Sequence, residues 1–350
     1  MAKPKSGVTR REYIVGSAVL AGAMAVRAGA LPLPSPDAPD NFAVTQERRR
    51  RELWNLLGDL PWDHKPAPPE LVRTEKHDGY TLERWILDLN GLEPVPALLL
   101  IPDRLQKPAP GLLFIHWHAG QYDLGKEQLL RGTEVQPPYA PACAEKGIVT
   151  LAIDSWCFGG RKHEENGHQG EEDAFKLMLW RGRVLYGMMV FDEFQALTYL
   201  AGRPEVDPRR LGAFGMSMGA TKAWWLAALD PRVHTAIDVC CLTDYDSLIT
   251  HHSLHEHGIY YYVPSLLKHF TAAEINALTV PRSHLSVNGR KDPLTPPEGV
   301  DKIRAELLPL YRKYGKEADL HIELFDCAHQ ELPEMRKQIL DWMDRYLVKG

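Results

Sequence analysis

The sequence predicts an α/β fold: a mostly parallel central sheet with helices on both faces and a short insertion over its working edge. Three observations carry that prediction. Short, mostly apolar runs at 111–115, 148–153, 211–214, 235–239, 284–287 and 320–324 read as strands. Helical patterns near 174–200, 220–228, 297–314 and 332–347 lie between or after them, and strands separated by helices pair in parallel because a parallel crossover needs a long connection. Residues 242–280 break the rhythm. They are too long for a simple connection and are expected as an insertion over the carboxyl edge of the sheet, where such folds place their sites.

The elements before the sheet follow in chain order. Residues 1–30 hold Lys3, Lys5, Arg10 and Arg11, then an uncharged run 14–26 and the small-residue end Ala28, Gly29, Ala30, the three-part layout of an export signal. The run falls short of the roughly 20 helical residues that a bilayer core requires, so no stable membrane anchor is expected. Arg10 and Arg11, followed by Glu12, Tyr13, Ile14 and Val15, resemble the twin-arginine signal, which implies export of the folded chain to the periplasm or beyond. Cleavage after Ala30 removes five basic residues and one acidic one and takes the net charge from −5 to −9. Residues 31–44, with Pro32, Pro34, Pro36 and Pro39, are expected as an extended linker, and a single domain as spanning 45–350. Residues 46–57 set Arg48, Arg49, Arg50 and Arg51 beside Leu53, Trp54, Leu56 and Leu57, a helix with one solvated basic face. The alternating stretch 80–89 and the apolar run 95–101 predict an antiparallel opening pair of strands.

Composition narrows the function classes. At 44% hydrophobic and 25% charged over 350 residues, the chain fits a soluble globular protein, neither a disordered tract nor a collagen-like repeat. Lys and Arg number 41 against 46 Asp and Glu, so no basic surplus exists to neutralise a phosphate backbone and nucleic acid is not an expected partner. The cysteines, Cys143, Cys157, Cys240, Cys241 and Cys327, are odd in number and form no C-x-x-C pair, which excludes a disulfide scaffold and leaves a bridge between some pair open.

The chemistry concentrates at strand ends. Gly215, Met216, Ser217, Met218 and Gly219 form a Gly-x-Ser-x-Gly between strand 211–214 and the helix from Ala220. On so sharp a turn the serine is strained, side chains at the flanking positions would clash, and the hydroxyl is lifted clear of the sheet. The helix that follows points free N–H groups and its positive end at the same place, which favours an oxyanion there. A serine hydroxyl is a weak nucleophile and needs a base, oriented in turn by a carboxylate. Asp292 follows strand 284–287 and His329 follows strand 320–324, giving the chain order serine, acid, histidine. Asp244, Asp246 and Asp326 are the competing acids. The backbone N–H groups of Met218 and His118 are the expected oxyanion donors, with Trp117 the alternative to His118 by one residue of register. His116 and His118, two apart on a strand, face one side and raise a metal site as an alternative. No third ligand at suitable spacing accompanies them, and His251, His252, His255 and His257 read as a wet loop, so neither metal nor cofactor is expected.

With these residues in hand, the chain resembles the α/β-hydrolase superfamily and, more narrowly, its dienelactone-hydrolase-like and acetyl xylan esterase-like branch. The likeness runs from about Val95 to Leu347. Beside the Gly-x-Ser-x-Gly it rests on 116–120 with Gly125 and Lys126, and on Asp154, Ser155, Trp156, Cys157, Phe158, Gly159, Gly160 and Arg161. It rests further on Asp192 with Leu200 and 203–207, and on Gly289 with Asp292. The resemblance implies hydrolysis of carboxylic esters through an acyl-enzyme by Ser217, Asp292 and His329, without a cofactor. Two departures stand out. Dienelactone hydrolases carry a cysteine nucleophile where this chain has Ser217, and Trp117 stands where relatives often have glycine. Tyr260, Tyr261 and Tyr262 in the insertion fit a sugar-stacking surface and a core equally well. The function expected is that of a serine carboxylic ester hydrolase for small acyl esters, acetylated carbohydrates among the candidate substrates. The alternatives are a serine peptidase of the same fold and a metal-dependent hydrolase using His116 and His118. The expected partners are the small-molecule ester and the twin-arginine export machinery.

Overall fold

A computed structural model describes residues 39–105 and 108–350. The expected export signal, 1–30, and residues 31–38 of the expected linker lie outside the described residues. Strands β1 (Glu70–His77), β2 (Tyr80–Leu87), β3 (Val95–Pro102), β4 (Ala109–Ile115), β5 (Val149–Ile153), β6 (Val206–Met216), β7 (Thr235–Val239), β8 (Ser283–Gly289) and β9 (Leu320–Phe325) form one sheet in the order β1-β2-β3-β5-β4-β6-β7-β8-β9. The first three strands run antiparallel to their neighbours, and from β5 to β9 every pairing is parallel. The helices are α1 (Pro39–Leu56), α2 (Gln128–Arg131), α3 (Ala140–Glu145), α4 (Gly167–Trp180), α5 (Leu185–Ala201), α6 (Met218–Leu229), α7 (Tyr245–Thr250), α8 (Ala272–Asn276), α9 (Pro297–Lys313) and α10 (Pro333–Met343).

The two faces of the sheet follow from the period-two side-chain alternation of its central strand. Leu112 and Phe114 of β4 point to one side, where Phe214, Ile237 and Leu285 meet α3 and α10 through Cys143, Met335 and Ile339. Leu113 and Ile115 point to the other, where Ala213 meets α5 and α6 through Leu197, Leu200, Ala223 and Leu226. Every residue of β4, β5, β7 and β8 is buried; β4 and β5 are accordingly short, mainly apolar runs, whereas β8 buries Ser283, His284, Ser286 and Asn288. The 242–280 segment carries α7, α8 and short helical turns, and joins a third cluster of Trp224, Trp225, Tyr245, Tyr260, Tyr261 and Phe270. No helix among the described residues is long and apolar enough to cross a membrane.

Four expectations need correction. The basic face expected as solvated at 46–57 is so only in part, because Arg49 and Arg50 are buried, Arg49 donating to the His269 carbonyl and Arg50 to those of Ala228 and Leu278. Residues 39–44, expected as extended linker, form the start of α1, whose first residue is Pro39; proline suits a first helical turn because its missing N–H has no intrahelical acceptor there. The single helix expected over 174–200 is two, because Gly182 at φ +74° closes α4 after Trp180 and α5 restarts at Leu185. Strand β1 precedes the expected pair, antiparallel to β2 and interrupted by a register shift between Leu71 and Arg73.

Beneath the sheet's carboxyl edge lies a buried charge network. Lys222 of α6, fully buried, sits 3.0 Å from Glu193 of α5 and donates to the Ser155 hydroxyl. Burial pushes the Lys222 ammonium down and the Glu193 carboxyl up, and the contact between them opposes both effects. Removing one partner strands the other charge. Lys222→Met is therefore expected to lower unfolding free energy by about 3–5 kcal/mol in a denaturant titration, and pairing it with Glu193→Leu to recover most of that loss. A loss under about 1 kcal/mol for the single variant would show that the pair does not carry this burden.

Candidate active site

Each functional side chain sits where a strand ends. Ser217 follows β6 with φ +55° and ψ −120°, a conformation that L residues rarely adopt. Its amide is held by the carbonyls of Val239 and Cys240 at 2.9 and 3.2 Å, at the end of β7. The two motif glycines are required by close approach of backbone: a Cβ on Gly219 would be driven into the Ile115 carbonyl oxygen, and one on Gly215 would lie 2.7 Å from that same atom. Non-glycine residues with positive φ also follow β4 (Ala119), β5 (Cys157) and β7 (Cys240 and Cys241), so backbone strain gathers along this one edge of the sheet.

The histidine and its acid meet across two loops. Nδ1 of His329 lies 2.7 Å from Oδ2 of Asp292, and the Leu294 amide donates to the other carboxylate oxygen at 3.0 Å. The Asp292 carboxylate is fully buried and the His329 ring about one-fifth exposed. Arg290 and Lys291 donate their amides to the carbonyls of Phe325 and Cys327, and Gly289 leaves no room for a side chain against Ala328 and Cys327, so the two loops lie together. With Nδ1 donating to Asp292, Nε2 of His329 keeps a free lone pair. The competing acids are placed otherwise: Asp244 caps α7 and pairs with Lys302, Asp246 is also paired with Lys302, and Asp326 is mostly exposed beside Lys291. Among the described residues the Ser217 hydroxyl makes no hydrogen bond to His329; it lies within reach of the Cys241 thiol. Such bonds are commonly unformed in a site without substrate.

The residues expected as oxyanion donors stand at the start of α6 and just after β4. Met218 is the first residue of α6, and its amide has no intrahelical acceptor. The Trp117 amide is already used, donating to Oε1 of Gln128 at 2.9 Å, whereas the His118 amide has no acceptor among the described residues. The register left open by the sequence thus favours His118.

The His116 and His118 rings are both committed within the chain. Nδ1 of His116 donates to the Trp117 carbonyl at 2.9 Å and Nε2 accepts from the Ser155 amide at 3.0 Å. Burial pushes the His116 pKa well below its ordinary value, which keeps the ring neutral. His118 accepts from the Gly120 amide at 3.0 Å and turns Nε2 to Glu171 at 2.9 Å, where Tyr122 also donates at 2.6 Å. No lone pair of either ring is free for a metal, which corrects the alternative built on them. Cys240, Asp292 and His329 bring a sulfur, an oxygen and a nitrogen within 4.8 Å of one another, but the last two spend those atoms on each other. All five cysteines are free and buried.

The insertion closes over this edge. Tyr260 stacks on His118 with centroids 5.4 Å apart, and His257, 4.2 Å from the Tyr261 ring, points Nε2 at the Leu294 carbonyl at 3.0 Å. Burial lowers the His257 pKa to about 4. Tyr260 and Tyr261 are buried, so of their two readings the structure favours core; Tyr262 is half-buried.

Comparison with known proteins fits this geometry. Residues 29–293 match the Abhydrolase family, a span that includes Ser217 and Asp292. The chain belongs to the α/β-hydrolase family. YtaP of Bacillus subtilis (strain 168), a hydrolase by name, is 42% identical to this α/β-hydrolase over 301 residues, 85% of the chain and 99% of YtaP. Two solved structures share the fold at low identity. One, from Bacteroides fragilis NCTC 9343, carries the name of an acetyl xylan esterase (TM-score 0.67, 19% identity, 84% of this chain and 78% of that one). The other is a glucuronoyl esterase from Solibacter usitatus (TM-score 0.60, 16% identity, 92% and 99%).

Sequence reasoning missed several residues of the site in this α/β-hydrolase. Cys240 and Cys241, noted in the sequence as two of five cysteines, turn the chain around the serine with φ of +55° and +94°. Glu171 and Gln128, buried partners of the His118 loop, carried no signal beyond their place in helical or polar stretches.

Proposed function

We propose that this protein is a serine carboxylic ester hydrolase for small acyl esters. The observation that carries the reading is a strained serine heading a helix after β6, on the same edge of the sheet where, after β8 and β9, a buried aspartate is bonded at 2.7 Å to a histidine. In this mechanism Nε2 of His329 takes the Ser217 proton as Oγ attacks the ester carbonyl, and the Asp292 carboxylate stabilises the imidazolium. The Met218 and His118 amides receive the oxyanion. His329 then protonates the departing alcohol, leaving an acyl group on Ser217. Water, deprotonated by the same ring, releases the acid.

The substrates proposed first are acetyl esters of carbohydrates, a class suggested by the name of the Bacteroides fragilis neighbour. The test is labelling with a fluorophosphonate together with assay on a short-chain aryl acetate and on acetylated oligosaccharides, each with and without a chelator. The expected result is one label per chain, on Ser217, and chelator-resistant ester hydrolysis. Label on another residue, or activity abolished by chelation, would overturn the reading.

We also propose that residues 1–30 direct export of the folded chain. Arg10→Lys combined with Arg11→Lys is expected to hold the full-length precursor in the cytoplasm, as read by fractionation. An unchanged periplasmic fraction would refute twin-arginine export.

A further inference from the structure

We infer that Gln128 is a positioning residue for the oxyanion donor, holding the peptide whose N–H belongs to His118. This inference rests on Ser217 being the nucleophile. Gln128 grips both sides of Trp117: its Oε1 accepts from the Trp117 amide at 2.9 Å, and its Nε2 donates to the Trp117 carbonyl at 3.2 Å. His116 adds a second donor to that carbonyl at 2.9 Å. The Trp117 carbonyl and the His118 N–H are the two ends of one peptide plane, and in a trans peptide they point in opposite directions. Drawing the carbonyl into the protein with two donors turns the His118 N–H away from Gln128. That N–H has no acceptor among the described residues, while the Trp117 amide is consumed.

The grip is itself anchored. Gln128 opens α2, directly after the turn 125–127, where the Lys126 amide and ammonium bind the two oxygens of Asp154 at 2.9 and 2.7 Å. On the opposite side, Nε2 of His116 is fixed by the Ser155 amide, and Ser155 in turn receives Lys222. Glu171 and the Gly120 amide hold the His118 ring. Gln128 is only 2% exposed, and its side-chain hydrogen bonds among the described residues go to Trp117 and not to Ser217, Asp292 or His329, so its role is to fix where the donor lies.

An oxyanion donor acts only in the transition state, so loosening it lowers kcat and leaves KM. Gln128→Met keeps the length of the side chain and removes both hydrogen bonds. For an aryl acetate it is expected to lower kcat about ten- to a hundredfold with KM changed less than about twofold. Sulfur accepts hydrogen bonds weakly, so the matching thionoacetate should lose less, and the ratio of oxoester to thionoester rates should fall about tenfold. An unchanged kcat, or equal losses for both esters, overturns the inference. Gln128→Asn, which keeps the amide but ends one methylene short, carries the same expectations and replaces the methionine variant if that fails to fold. Ser217→Ala, assayed in parallel, separates the two claims: activity surviving in it refutes the serine mechanism, whereas activity lost in it and retained in both Gln128 variants refutes the role of Gln128 alone.

Discussion

Ser217→Ala should lower kcat/KM for a short-chain aryl acetate by about a thousandfold or more. The size follows from what remains. Without the hydroxyl no acyl-enzyme forms, and a water would have to take the place of an atom that the main chain holds at φ +55° beyond β6. The amides of Met218 and His118 would still polarise the ester carbonyl, so some rate above the uncatalysed one should persist. Substrate affinity should barely change, and thermal stability should hold or rise, because the elbow is strained whichever side chain it carries. A steady-state comparison of parent and variant, with the thermal midpoint of each, checks all three. A loss of less than tenfold would place the nucleophile elsewhere.

Replacing Asp292 by Asn should be nearly as damaging, by about a thousandfold or more in kcat. The fully buried carboxylate at 2.7 Å selects the His329 tautomer with Nδ1 protonated and supplies the charge that steadies the imidazolium. An amide in its place supplies neither. His257 cannot substitute for His329 as base: its Nε2 faces the Leu294 carbonyl, and burial holds its pKa near 4. Asp326→Asn is the control. That aspartate is three residues from His329 in sequence but mostly exposed and paired with Lys291, so kcat should stay within about twofold of the parent. Equal losses in the two variants would mean that the loop, and not the Asp292 carboxylate, is what matters.

The parallel half of the sheet was legible because helices bury it from both sides, and most of its strands are written as short apolar runs; β7 matches its expected bounds. The N-terminal edge was less so. β1 lacks the apolar alternation that marks a half-buried strand, because Glu70 to Thr74 and Lys76 are all exposed. The 174–200 helix was read through Gly182 because periodicity continues on both sides of it, and only the φ of that glycine reveals the stop. In the candidate site, Ser217, Asp292 and His329 could be proposed because each falls at a strand end in a fixed order, and the structure brings Asp292 and His329 together. Gln128 could not. A side-chain amide that braces a peptide has no spacing rule; it is defined by which loop folds back against which strand. Cys241 escaped notice for a related reason, since nothing in a Cys-Cys pair announces a left-handed backbone.

The outermost strand also bears on how the protein behaves in company. A sheet of nine strands ends in two rims of unpaired main-chain groups, and an apolar, regular rim would recruit the rim of another molecule. At β1 the invitation is withdrawn twice. Glu70, Arg73, Glu75 and Lys76 line the strand with charges of both signs, and the register shift between Leu71 and Arg73 bends the ladder out of line. Leu71 and Val72, exposed at 47% and 57%, sit at that bend, where a flat partner strand cannot lie along them. The strand farthest from Ser217 in the sheet order is in this sense built against edge-to-edge pairing at its own rim.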